Sequence, residues 1–295
     1  MKKVVLPEGE DERVQLAART LVEEAIAHPV LVAKATDAMA DIGPADGYTL
    51  LAPDGTSLEA LAAAARAAGK EFAVSPTLAQ GAALVRDGEA DAIVAGAVSS
   101  TADVIKTYLK TIGMAEGCTR VSSCFLMEKG TERYLFADCG VSPTPTPEER
   151  AETAYLCNAF ASIVGIKPKI AFLSFASHDS ARHEMVATTA EAVAISKERW
   201  PELIVDGPLQ VDSAIIPSIA RRKVPESDIA GEANVLLFPD LNSGNIAYKL
   251  VERLGGFSAT GPLLLGFAKP AHDLSRGCNV EDIVKAAKIA VAQCQ

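Results

Sequence analysis

Short apolar runs rich in valine, isoleucine and leucine alternate along most of this chain with longer stretches of helical period. Strand candidates fall at 3–7, 29–33, 48–52, 91–97, 122–128, 134–138, 169–175, 203–207, 233–239 and 261–266. Helical stretches at 10–27, 75–87, 147–164, 183–199, 209–221, 242–253 and 280–293 separate most of them. A strand with no polar face must be covered on both sides, and an intervening helix returns the chain for parallel pairing. The repeated order therefore predicts an α/β protein with mostly parallel sheets. Its 295 residues suit about two domains, and 49% apolar residues supply the cores they need. One stretch breaks the rhythm. Two strand candidates adjoin between 121 and 139, which predicts a hairpin or antiparallel edge, and the proline-rich SPTPTPEER that follows opens a helix at Pro147. A second domain is expected to begin near residue 119.

The net charge of −10 argues against general nucleic-acid or anionic-membrane binding, which needs basic stripes. Any anionic ligand must be met by a few placed cations. The six cysteines form no C-x-x-C pair and have no histidine cluster beside them, so no zinc site is read from their spacing. Scattered thiols in a chain with a large core suit a reducing, cytoplasmic setting. The opening MKKVVLPEGEDER reads as a strand and not as a signal peptide, and no window has the roughly 18 consecutive apolar residues of a membrane span. There is no G-x-G-x-x-G, Walker A or G-x-S-x-G motif, which disfavours a nicotinamide enzyme.

Four stretches have the residue types for chemistry. In AHDLSRGCNVEDIVKAAKIA (271–290), Ser275, Arg276 and Gly277 place a hydroxyl, a bidentate cation and free N–H groups just ahead of a helix. Asn279 suits an N-cap, and Asp282 three residues later suits either the cap or a proton acceptor; the residues alone leave both open. In DAIVAGAVSSTADVIKTYLK (91–110), a strand runs into Ser99, Ser100 and Thr101 and then a helix with Lys106; ligands of open parallel sheets bind at such strand ends. N-capping explains the hydroxyls equally well. In FPDLNSGNIAYKLVERLGG (238–256), Asn242, Ser243, Gly244 and Asn245 read as a polar turn after a strand. In LIVDGPLQVDSAIIPSIARRK (203–223), Asp206 is read as ending a strand, and Asp212 lies in the next helix.

Taken together and in this order, these motifs resemble the phosphotransacetylase (phosphate acetyltransferase) family, within the phosphate acetyl/butyryltransferase group. LPEGEDERVQLAA, LFADCGVSPTPTPEERAETA, GEANVLLFPDLNSGNIAYKLVERLGG and KPAHDLSRGCNVEDIV carry the match, with the stretches above, over most of the chain. The resemblance implies two α/β/α lobes with an interlobe active-site cleft on the isocitrate-dehydrogenase-like scaffold. The first lobe would be 1–118 plus 267–295, and the second 119–266. It further implies reversible acetyl transfer between coenzyme A and phosphate without metal or cofactor, coenzyme A being a substrate, in a homodimer. Ser275, Arg276 and Asp282 would be the catalytic set, with Asp282 taking the thiol proton. Lys106, Ser99, Ser100, Thr101, Asn242, Ser243, Gly244 and Asn245 would bind substrate.

Three departures bear on acyl preference. Lys106 stands where the acetyl-specific family usually has an arginine, and a lysine lacks the bidentate fork. FLSFASHDSARHEM carries His178 and Asp179 in place of a glycine- and serine-containing turn. The region 53–80 is shorter than usual, leaving Arg66 as a stand-in for a second arginine. Alternative readings are a phosphate butyryltransferase or other short-chain specificity, a catalytically silent acetyl-CoA-sensing module, and an oxidoreductase on the related scaffold. The intact Ser–Arg loop disfavours the silent module; the oxidoreductase needs a metal-binding carboxylate set that the sequence does not supply.

Overall fold

The computed structural model describes residues 1–34, 47–56, 59, 63, 75–229 and 231–294. The chain divides into two units, Met1–Thr119 with Phe267–Gln295, and Arg120–Gly266. Among the described residues no helix is long and apolar enough to cross a membrane.

The first unit contains β1 (Lys3–Leu6), α1 (Glu12–Glu23), β2 (His28–Val32), β3 (Thr49–Leu51), α2 (Pro76–Arg86), β4 (Ala92–Ala95) and α3 (Thr101–Thr111). Its sheet has the order β11-β4-β1-β2-β3, where β11 (Ala271–Asp273) returns from late in the chain, and every pairing among the described residues is parallel. α1 and the last helix, α9 (Val280–Gln293), pack on one face, where Val14, Ala17 and Leu21 join Ile283, Val284 and Ala287 over Val4, Leu6, Ala92 and Val94. β11 was not among the expected strands. Its three residues include His272 and Asp273, both fully buried, and so carry no apolar run to detect. The strand expected over 91–97 stops at Ala95, because Gly96 turns the chain with φ +109°.

The second unit contains β5 (Ser122–Lys129), β6 (Glu132–Ala137), α4 (Pro147–Ile163), β7 (Ile170–Leu173), α5 (Glu184–Arg199), β8 (Val205–Leu209), α6 (Val211–Ile215), α7 (Pro217–Lys223), β9 (Val235–Leu237), α8 (Leu241–Arg253) and β10 (Ser258–Leu265). The sheet order is β10-β5-β6-β9-β7-β8. β5 and β6 form the expected antiparallel pair, and β10 adds a second antiparallel partner to β5. The remaining pairings are parallel. A full capping box on Thr146 and Glu149, with Pro147 in the first turn, starts α4 where the proline-rich stretch predicts.

Three local expectations are corrected. The single helix expected over 209–221 is two, because Pro217 forces Ile216 to extended backbone (φ −121°, ψ 106°). Asp206 lies inside β8 and not at its end. The helix expected over 242–253 is α8, begun one residue earlier at Leu241, and it takes in the polar turn expected at Asn242–Asn245 because Asp240 caps it through a 2.7 Å bond from Ser243 N–H.

Candidate active site

The loops at the carboxyl ends of β1, β4 and β11 meet through charged side chains from far apart in the sequence. Glu8, just after β1, spreads its carboxylate over four consecutive amides: Oε2 accepts from Gly96 (3.0 Å) and Ala97 (2.7 Å), Oε1 from Val98 (3.1 Å) and Ser99 (2.7 Å). Successive N–H groups in such a turn form an anion-binding nest, and here the chain's own carboxylate fills it.

Arg13, in the first turn of α1, uses all five of its N–H donors. Nε donates to Asp11 Oδ1 (3.0 Å) and Nη2 to Asp11 Oδ2 (2.8 Å) and the Ala97 carbonyl (2.8 Å). Nη1 donates to the carbonyls of Arg276 and Cys278, both at 2.9 Å. Asp11 also caps α1, accepting from Arg13 N–H at 2.9 Å. The guanidinium holds the Asp11 carboxyl below the usual carboxylate range, and the carboxylate in turn raises Arg13.

Asp273, at the end of β11, is fully buried. Its Oδ2 accepts from the Thr101 hydroxyl at 2.6 Å. Burial pushes its carboxyl up to about 7, a rise the Thr101 bond moderates. A Cβ on Gly96 would collide with Asp273 Oδ1 and lie 2.6 Å from Leu274 N, so only glycine lets the two strand ends approach this closely. The preceding His272 is also fully buried and bonds Gln293; burial lowers it to about 4.

The 275–278 loop is thereby fixed along its backbone. Cys278 N–H donates to the Ser275 carbonyl (2.9 Å) and Gly277 N–H to Ser275 Oγ (3.2 Å). The side chains of Ser275 and Arg276 are nonetheless exposed, and Arg276 forms no ion pair among the described residues. Cys278 is buried and pushed up to about 11 by that burial, which makes it a packing residue and a poor nucleophile. Asn279 and Asp282 make a reciprocal capping box: Asn279 Oδ1 accepts from Asp282 N–H (3.0 Å), and Asp282 Oδ2 accepts from Asn279 N–H (2.9 Å). The cap therefore uses one carboxylate oxygen, and the residue stays half-exposed.

The other expected binding residues divide between structural hydrogen bonds and the exposed surface. Ser99 offers its amide to Glu8, Ser100 caps α3 through Asp103, and Thr101 binds Asp273. Lys106 is exposed in α3, without an ion pair among the described residues. Arg66 lies outside the described residues. In the second unit, Asn242 is exposed, Ser243 joins the Asp240 cap, and Asn245 donates to the Cys139 carbonyl (3.2 Å) and accepts from Lys249. Gly244 is buried, and a Cβ there would lie 2.7 Å from the Asp138 carbonyl oxygen, so the close approach requires glycine. A separate groove of about 530 Å³ runs along the start of α5, lined by His178, Asp179, Arg182, His183 and Pro208 among others. His178, at φ +45°, reaches buried Asp206 at 3.2 Å.

Sequence reasoning did not single out Glu8, Arg13 or Asp273. The first two resemble an ordinary acidic helix start, and the third lies in the undetected strand.

A model of the family "Phosphate acetyl/butaryl transferase" matches residues 1–291. The chain belongs to this family. Its relatives include a phosphate acetyltransferase of Bacillus subtilis (strain 168), 40% identical over 304 residues that cover 99% of this chain and 94% of that protein. The crystal structure of a phosphotransacetylase from Streptococcus pyogenes superimposes with a TM-score of 0.87 at 38% identity, covering 99% of this chain and 94% of that one. A branched-chain phosphotransacylase from Enterococcus faecalis V583 shares the fold, with a TM-score of 0.77 at 18% identity over the full length of both chains. Family membership agrees with the resemblance read from the motifs, and the mixed α/β fold with mostly parallel sheets is the one expected.

Proposed function

We propose that this chain is a phosphate acetyltransferase, interconverting acetyl-CoA plus phosphate with acetyl phosphate plus CoA. One observation carries the residue assignment. The Ser275–Arg276 turn is held by two bonds from Arg13 and one from Gly277 N–H to Ser275 Oγ, with both side chains exposed, and such preorganisation favours stabilisation of developing charge. Arg276 holds the phosphate group and steadies the oxyanion as the thiolate attacks the acetyl carbon. Ser275 hydrogen-bonds the same centre. Asp282 takes the thiol proton on Oδ1, the oxygen its cap leaves free. The thiolate attacks directly in a ternary complex: the sulfur–carbon bond forms, the carbon–oxygen bond to phosphate breaks, and phosphate leaves with that electron pair. The Ser99–Thr101 turn, Lys106 and the Asn242–Asn245 segment contribute to substrate binding in the same reading. Homodimer assembly, a cytoplasmic setting and independence from metal belong to it too.

The test is CoA-dependent consumption of acetyl phosphate, with and without chelator, in the wild type and in Asp282→Asn. Asparagine keeps a carbonyl for the Asn279 N–H but cannot take a proton. Turnover should fall by about 10²-fold or more while melting stays nearly unchanged. Near-normal turnover in the asparagine variant returns Asp282 to the helix cap alone. Parallel assays with propionyl- and butyryl-CoA settle the acyl preference that Lys106 brings into question.

A further inference from the structure

We propose that Arg13 is a positioning residue for this reaction, setting the backbone from which the Arg276 side chain is presented and tying it to the turn that follows β4. The inference rests on the catalytic role given to Arg276 above. Arg13 lies 263 residues from Arg276 in sequence, yet donates to its carbonyl oxygen at 2.9 Å. The same nitrogen donates to the Cys278 carbonyl at 2.9 Å, so one planar group spans both ends of the Arg276–Cys278 segment. The opposite nitrogen holds the Ala97 carbonyl at 2.8 Å, inside the stretch whose amides Glu8 gathers. Asp11 takes the two remaining donors and fixes the plane of the fork.

Five donors on five acceptors leave the guanidinium one orientation. The carbonyls it holds sit on either side of Gly277, which gives the turn no stiffness of its own. Without Arg13 those carbonyls must turn to water, and the peptide after Arg276 keeps only the 3.2 Å bond from Gly277 N–H to Ser275 Oγ. Small displacements of a charge-stabilising group are costly, because the transition state requires a set geometry. Arg13 itself has no donor left for substrate, which makes its effect indirect: it acts through Arg276. A lysine in its place keeps the charge but cannot bridge three carbonyls and a carboxylate at once.

The experiment is a double-mutant cycle in the full-length chain with Arg13→Lys and Arg276→Gln, measuring kcat and KM for CoA and acetyl phosphate. Arg13→Lys is expected to lower kcat by about tenfold or more and shift KM for CoA by less than about threefold. In the Arg276→Gln background the same change should cost less than about twofold, because the group it positions is already gone. An equal cost in both backgrounds overturns the inference and makes Arg13 a general stabiliser. If Arg276→Gln itself turns over normally, the catalytic role of Arg276 falls instead, which separates the two failures. Should Arg13→Lys prove unstable, Arg13→Ala with added methylguanidinium gives a second measure. Saturable recovery of turnover supports the positioning role, and no recovery at any concentration that leaves the protein folded overturns it.

Discussion

Glu8 in the first unit and Asp138 in the second perform the same local task over very different spans. Each is a carboxylate at the end of a strand that gathers backbone amides from a turn. Asp138 collects Gly140 (3.0 Å), Val141 (3.1 Å) and Ser142 (3.1 Å), all within four residues, together with the Ser123 hydroxyl. Glu8 collects four amides that lie 88 to 91 residues away. Asp138 therefore shapes its own turn, an extended Asx-type device. Glu8 instead joins two strand ends that the chain visits at separate times, and Arg13 extends the join to a third. The difference teaches where precision was needed. A turn that only connects can be specified by its own residues; a site assembled from three loops needs long-range ties.

The strongest test of that contrast is Glu8→Gln. A single amide oxygen cannot serve four donors, and the charge that strengthens them is lost. Stability should fall by about 2–4 kcal/mol in urea unfolding, and turnover by about tenfold or more among molecules that remain folded. Hydrogen exchange should speed up at 96–99 and spread to 275–278. Exchange confined to 96–99 would break the idea that these loops form one tied assembly. Asp138→Asn should cost less, about 1–3 kcal/mol, and its faster exchange should stay within 139–143. If it reaches the first unit's loops, the local reading of Asp138 is wrong.

A further test is a pH dependence at β11. Burial raises Asp273 from the usual 3.8 to about 7, so between those values the folded chain keeps a proton that the unfolded chain has lost. This group's contribution falls as pH rises through that window. His272 works in the opposite sense. Its folded value is lowered from 6.5 to about 4, so its contribution is lost as pH falls across that range. Between about pH 4 and 6.5 the two slopes oppose each other in the wild type. Asp273→Asn removes one of them, and stability should then drop on acidification by up to about 1.4 kcal/mol per pH unit relative to wild type. A difference that stays flat from pH 4 to 6.5 would show that Asp273 does not keep its proton in the folded chain over that range.

Much of the fold was legible because strand and helix signals are local. The apolar runs at 3–7, 29–33 and 91–97 announce central strands, and SPTPTPEER announces the start of α4 with its cap. The loop at 275–282 was legible for the same reason, since hydroxyl, guanidinium, cap and carboxylate sit within eight residues. What escaped depends on pairings that no window of sequence contains. β11 forms because β4 offers it an edge, and its polar residues are buried through Thr101 and Gln293. The polar segment at 242–245 reads both as a turn and as the start of a helix over 242–253, and the cap that Asp240 supplies decides for the helix.

The discontinuity of the first unit has a consequence for the order in which the protein can be made. Its sheet is begun by residues near the start of the chain, but the strand beside β4 and the helix over the core come after residue 267. During synthesis from the N-terminus, β4 is an open edge, and Val14, Ala17 and Leu21 lack Ile283, Val284 and Ala287. Open edges and uncovered apolar faces invite wrong partners. The second unit, contiguous from 120 to 266, has no such wait and can close as soon as it emerges. The segment carrying Ser275, Arg276 and Asp282 is thus the piece that completes the first unit. A chain interrupted before it lacks both the groups proposed as catalytic and the cover for its own core, so a stalled product is born fragile.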